Sequence, residues 1–183
     1  MLKGLDPLLT PELLEVMAAM GHGDELILSD CNFPSDSVAA ETVYGQAIRL
    51  AGADIGQAAK AIFSLFPLDS FVETPILRME MVGKPQEVPP VQQELLSAAR
   101  ANGERDWAMG SIERHAFYAR ARRGFAVVVA MGERRPYGCF VLVRASSARM
   151  ARSSEAPALA PGHDRVKTGS RGWGPTTREG KPC

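Results

Sequence analysis

The chain is poor in the residues that build disulfide frameworks and metal centres. It has three cysteines, Cys31, Cys139 and Cys183, in 183 residues, and no two share a C-x-x-C spacing. An odd, scattered set of this kind excludes a cysteine-stapled scaffold and a zinc knuckle, and points to a reducing, cytoplasmic compartment. The three histidines, His22, His115 and His163, lie far apart, so no metal site is expected. Aromatics are 7% of the chain, and 21 basic side chains cancel 21 acidic ones. A chain with no net charge is not built to coat a polyanion. The longest stretch free of polar side chains, GFAVVVAMG from Gly124 to Gly132, is about half of what a membrane span needs. The start, MLKGLDPLL, has no apolar core of a secretory signal. There is no P-loop, no G-x-S-x-G elbow and no dinucleotide-binding glycine pattern.

What is present is an ordinary globular composition, 45% hydrophobic and 23% charged, in a chain long enough to bury a core. Charge is unevenly placed. Residues 145–183 hold seven Lys or Arg and three Asp or Glu, a net of +4 that leaves −4 for residues 1–144. That last segment has four large apolar residues among 39 positions and is rich in Ala, Ser, Gly, Pro and Arg. Such a composition cannot offset its ordering entropy, so a folded unit over 1–144 and a disordered, low-complexity tail over 145–183 are expected.

Within the folded unit, Thr10-Pro11-Glu12 opens a helix whose Leu13, Leu14, Met17 and Met20 recur at helical spacing. Leu26–Leu28 reads as a buried strand ending at Asp30, and Asn32-Phe33-Pro34-Ser35 as a turn. Residues 54–66, 91–101 and 112–123 have helical patterns; Leu77–Met81, 125–130 and 138–143 read as strands. Short apolar strands alternating with helices define an α/β sandwich.

A small group of side chains is suited to chemistry. His22 sits between Gly21 and Gly23, where the backbone is free to expose an imidazole able to exchange protons near neutral pH. A loop histidine capping a carbonyl is the plainer alternative. Asp30 ends a strand, where α/β proteins tend to hold ligands, although from spacing alone an Asx-turn with Cys31-Asn32 is the slightly better account. Asp69 follows the second helix and reads most plainly as a cap or turn. Arg114 and Tyr118, four apart, share a helix face. Tyr137-Gly138-Cys139 enters the last strand through a loop, with an ordinary hairpin turn as the alternative. Cys31 and Cys139 read as small buried residues. An imidazole, carboxylates, phenols and an arginine suit proton transfer without a cofactor. Two other classes fit parts of the pattern. A non-catalytic sugar-binding assembly subunit would keep Asp30 and Arg114 without needing His22. An RNA-binding protein would use the basic tail and Arg120–Arg123, which the acidic body and scarce aromatics disfavour.

In order along the chain, Gly21-His22-Gly23-Asp24-Glu25, Ser29-Asp30, Asn32-Phe33-Pro34, Leu68-Asp69, Arg114-x-x-Phe117-Tyr118 and Tyr137-Gly138 resemble the L-fucose mutarotase and D-ribose pyranase family. The opening Leu2-Lys3-Gly4, Leu8–Leu14 and Phe125–Val128 fit it too, so the resemblance runs from Met1 to about Arg144. It implies a three-layer α/β/α sandwich with a mixed sheet. It also implies an isomerase that interconverts the anomers of a free monosaccharide with no cofactor, as a homo-oligomer (a ring-like decamer or smaller) with no nucleic-acid or membrane partner. Carried over by position, His22 is the proton donor. Asp30, Arg114, Tyr137, Gly138 and Cys139 bind substrate, and Tyr118 and Asp69 match further sugar contacts. Tyr118 stands where the pyranase branch usually has histidine, which favours L-fucose over D-ribose. Cys139 stands where many members have Asn, so a side-chain amide contact is lost. The segment after Arg144 matches nothing in the family.

Overall fold

The structure is a computed structural model that describes residues 2–102 and 105–146. Most of the tail, residues 147–183, lies outside the described residues. Its elements run β-strand and helix in turn: α1 (Pro11–Ala19), β1 (Glu25–Ser29), α2 (Ser35–Ala39), β2 (Ala47–Leu50), α3 (Ile55–Phe63), β3 (Ile76–Met79), α4 (Pro90–Ala101), β4 (Met109–Ile112), α5 (Arg114–Ala121), β5 (Ala126–Ala130) and β6 (Phe140–Val143). The six strands form one sheet in the order β2-β5-β1-β6-β3-β4. β2/β5, β5/β1 and β3/β4 are parallel, while β6 runs antiparallel to both its neighbours, β1 and β3. The sheet is therefore mixed, as expected.

Residues of the central strands β1, β5 and β6 are buried almost throughout, because helices cover both faces. Alternation sends Leu26, Leu28, Ala126, Val128, Phe140 and Leu142 to the face packed by α1, α3 and α4. Ile27, Val127, Val129 and Val141 point to the other face, packed by α2 and α5 through Val38, Ala39, Phe117 and Ala121. Each fully buried side chain of this size contributes about 1.5–3 kcal/mol. The helix starts follow local rules. Thr10 caps α1 by accepting from Leu13 N–H, and Asp54 and Gln57 form a capping box on α3.

Three elements escaped the sequence patterns. β2 and β4 are four-residue edge strands, and β4 (MGSI) contains a glycine and a serine that carry no strand signal. α2 is a single short helix that begins at Ser35, the end of the expected turn. The fourth helix is shorter than expected. Ile112 belongs to β4, and Glu113 caps α5 by accepting from His115 and Ala116 N–H. Strand β3 begins one residue earlier than expected and ends at Met79. The polar loop holding Tyr137 is not a hairpin turn, since β1 lies between β5 and β6 and those strands never pair. Cys31 is exposed rather than buried, because it lies in the turn leaving β1, whereas Cys139 is buried. Ala145, just past β6, is buried and donates to Pro67 O, 2.9 Å away.

Candidate functional site

The candidate residues gather at the two ends of β1. At its amino end, the turn between α1 and β1 presents His22. Gly23 has φ +82°, a left-handed angle that glycine adopts at no steric cost, and its N–H donates to Arg144 O. This ties the histidine turn to the carboxyl end of β6. The His22 side chain is 51% exposed, yet its Nε2 lies 3.0 Å from Oδ2 of Asp69, which is 2% exposed. The other Asp69 oxygen, Oδ1, accepts from Phe71 N–H at 2.9 Å. Asp69 thus closes a turn, as its position suggested, and also grips the histidine. With Nε2 engaged, Nδ1 is the ring nitrogen left to meet a ligand. The Phe71 ring meets the imidazole edge-on at 6.0 Å and is itself 73% exposed.

At the carboxyl end of β1 the character changes. Asp30 is 2% exposed, and both its oxygens are held by backbone. Oδ1 accepts from Asn32 N–H at 2.9 Å, which is the Asx-turn, and Oδ2 accepts from Gly138 N–H at 2.9 Å. The Cys139 thiol also lies 3.6 Å from Oδ2. Burial, with the Asp30 charge beside it, pushes that thiol well above its ordinary pKa, so it is a neutral donor. Gly138 lies in close approach to its neighbours. A Cβ there would sit 3.1 Å from Ile55 Cγ1 and 3.2 Å from Asp30 Cβ. Tyr137, the residue before it, has φ +66°, a left-handed angle that costs a non-glycine residue about 1–2 kcal/mol. Its hydroxyl accepts from Val82 N–H at 3.2 Å.

These groups line a cleft of about 210 Å³ with Asn32, Phe33, Met79, Arg114, Tyr118 and Pro136. Arg114 and Tyr118 do share a face of α5, with the guanidinium 5.6 Å from the phenol ring centroid. Tyr118 stacks on Phe33 at 5.3 Å. The cleft therefore offers an exposed cation beside a phenol ring, a second phenol, apolar side chains and backbone donors committed to one buried carboxylate. The loop leading into it is braced by charge. Glu133, 2% exposed, accepts from Arg135 and from Ile55 N–H, and Arg135 also reaches Glu94. The Arg135 guanidinium holds the Glu133 carboxyl below its usual range despite burial.

Six of the expected residues, Asp30, Arg114, Tyr118, Tyr137, Gly138 and Cys139, are thus brought to one cleft or its wall. His22 and Asp69 are brought together elsewhere. The five residues of β1, at about 3.3 Å each, separate them from the cleft by roughly 16 Å of sheet. Among the described residues, no group of three or more His, Cys, Asp or Glu is arranged to hold a metal ion. No described helix is long and apolar enough to cross a membrane. Sequence reasoning missed Met79 and Phe33 as cleft-lining residues, since apolar residues at a strand end or in a turn carry no distinctive signal.

A mixed sheet covered on both faces, with a polar cleft at one end of β1 and an exposed histidine at the other, defines the class as an α/β protein. The family model described as the RbsD / FucU transport protein family matches residues 3–146, and the chain belongs to that family. It is similar to the fucose mutarotase of Homo sapiens, with 44% identity over 77% of this chain and 91% of the human protein. It is similar to the L-fucose mutarotase of Actinobacillus pleuropneumoniae serotype 5b, with 38% identity over 78% and 94% of the two chains. Among solved structures it resembles the fucose mutarotase of Streptococcus pneumoniae in complex with L-fucose. There the TM-score is 0.69 and the identity 30%, covering 79% of this chain and 98% of that one.

Proposed function

We propose that the protein is an isomerase that interconverts the α and β anomers of L-fucose by acid/base opening and reclosure of the sugar ring. The observation that carries this reading is the His22–Asp69 pair, in which a buried carboxylate fixes one nitrogen of a half-exposed imidazole and leaves the other free. Opening a cyclic hemiacetal requires the anomeric hydroxyl to lose a proton while the ring oxygen gains one. The chain then rotates about one bond and recloses on the other carbonyl face. An imidazole can give or take either proton, and rate gains of about 10²–10⁴ suffice for a reaction that is already quick. His22 is the proton donor, and Tyr118 or Tyr137 relays the second proton. Arg114 and the two phenols hold the sugar hydroxyls beside Asp30, whose carboxylate fixes the Gly138-Cys139 backbone that forms the cleft wall. Asp69, matched by position to a sugar contact, has both oxygens engaged and serves to orient His22.

The two half-sites lie at opposite edges of one chain, so the working site is shared between copies in a homo-oligomer. Exposed apolar residues border each half. Phe71 and Val72 flank Asp69, and Val82, 65% exposed, adjoins the Tyr137 hydroxyl. Such residues fit an isologous or ring interface that would bring His22 of one copy over the cleft of the next. The acting compartment is the cytoplasm. Saturation-transfer NMR on L-fucose, D-ribose and other free sugars tests the reading. Exchange of L-fucose anomers well above the buffer rate is expected, and faster exchange of D-ribose ring forms would reassign the substrate. No acceleration with any sugar would overturn it.

A further inference from the structure

From α4, which supplies no side chain to the cleft lining, one buried side chain reaches two of the cleft's residues. Gln92 is 0% exposed and sits on the core face of α4 beside Val91 and Leu95. Its Nε2 donates to Met79 O at 2.8 Å and to Tyr137 O at 2.9 Å, using both amide hydrogens. Its Oε1 is buried without a hydrogen-bond partner among the described residues. An amide kept in a core with its acceptor unsatisfied is destabilising in itself, so its two donated bonds are what the position provides. Both acceptors belong to cleft residues, one at the end of β3 and one in the loop entering β6. The second is Tyr137, whose left-handed backbone needs surrounding structure to hold it. The phenol of that residue is in turn anchored on Val82 N–H.

We infer that Gln92 is a positioning residue for sugar binding: it ties Met79 to Tyr137 and holds the Tyr137 phenol over the cleft without touching substrate. The inference deepens the mutarotase reading and rests on it. The tether acts on the binding half-site, while the proton donor His22 stands at the other half and Tyr118, which the tether does not reach, remains to relay the second proton. Its loss therefore weakens sugar affinity and leaves turnover at saturation nearly intact.

The variant Gln92→Met keeps the volume, removes both hydrogen bonds and removes the orphaned oxygen. In the full-length protein it is expected to raise KM for L-fucose anomer exchange about tenfold, with kcat within about twofold and a melting temperature lowered by a few degrees, since Met79 O and Tyr137 O lose their donor. Hydrogen exchange of the Val82 amide should quicken, because its acceptor is no longer held; this readout needs neither sugar nor activity. In a Tyr137→Phe background the same substitution should raise KM less than about threefold, since the group it positions has gone. An unchanged KM, a loss confined to kcat, full additivity with Tyr137→Phe, or unaltered Val82 protection would each overturn the inference. Gln92→Glu, which keeps the shape but donates at most one hydrogen, is the second variant. Failure of both to fold would overturn it as well, by making Gln92 a determinant of folding instead. If the parent itself does not exchange anomers, the mutarotase reading falls, and Val82 exchange still decides whether the tether holds Tyr137.

Discussion

The two ends of β1 are built on opposite plans. At the carboxyl end, Asp30 is buried, saturated by backbone donors and enclosed by a loop braced through Glu133, Arg135 and Glu94. At the amino end, His22 is half-exposed on a glycine turn, with one buried carboxylate and an exposed phenylalanine for company. The polar groups of the first cannot rearrange cheaply. The second is a reactive group presented outward. Each is incomplete alone: the cleft holds no imidazole, and the imidazole has no cleft. On the proposed mutarotase reading, rigidity falls where hydroxyls would be recognised, and exposure where a proton would change hands.

That contrast can be broken most severely at His22. His22→Ala should fold normally, because the side chain lies outside the packed core, and should lose about 10²–10⁴-fold in anomer exchange. Exchange rates equal to the parent's would remove the histidine from the chemistry.

The next largest effect tests whether the two ends meet across a subunit boundary. Mixing His22→Ala with Arg114→Ala, two largely inactive proteins, should return activity once subunits are exchanged. Random pairing of half-sites makes about a quarter of the sites intact. Hetero-oligomers that form and stay inactive would place both halves in one chain.

Asp69→Asn isolates the grip on the imidazole. It removes the charge facing Nε2 and frees the ring to adopt either tautomer, and about a tenfold loss of exchange is expected with folding retained. Nitrogen NMR of the His22 ring should show the mixed tautomers. A parent-like tautomer with parent-like rates would reduce Asp69 to a turn residue.

The bracing of the cleft end predicts an acid response. Arg135 lowers the Glu133 carboxyl below its ordinary value of 4.5 in the folded chain. A carboxylate with a depressed folded pKa stabilises above its unfolded pKa, and that contribution is lost as pH falls through the folded value. Glu133→Gln should cost about 2 kcal/mol at neutral pH, and the gap in melting temperature from the parent should narrow steadily below pH 4.5. A gap independent of pH would show that Glu133 acts through packing alone.

The smallest effect is expected at the tail. A chain ending at Ser146 keeps Ala145 buried and bonded to Pro67. It should express, melt and exchange anomers like the full chain. A fall of several degrees in melting temperature would show that residues 147–183 contribute to the core, and a raised KM at constant melting temperature would place them over the sugar site.

Much of the cleft and of the fold was legible in the chain itself. The central strands announce themselves because burial on both faces demands unbroken apolar runs such as Phe125–Ala130. The helices α1 and α3 announce themselves through Thr10-Pro11 and Asp54, whose capping chemistry is local. The Gly-His-Gly turn, the Arg114–Tyr118 spacing and the Tyr137-Gly138 step are short-range patterns of the same kind. The edge strands β2 and β4 were hidden, because four residues at a sheet margin need only a neighbour's hydrogen bonds and tolerate almost any side chain.

What no local pattern could decide is who faces whom. His22 meets Asp69 across 47 positions, and Asp30 meets Gly138 across 108. Cys31 and Cys139 look alike in sequence and part company in burial. Gln92 reads as one more polar residue on a helix, and only the packing of α4 against the sheet turns it inward onto Met79 and Tyr137. The amino-acid sequence by itself determined the elements, the caps and the reactive residue types, because those depend on neighbours a few positions away. Chain order alone sets His22 and Asp30 at opposite ends of β1; which distant residues join each end was decided by the tertiary structure, since the antiparallel placement of β6 between β1 and β3 sets which loop lies beside which strand end.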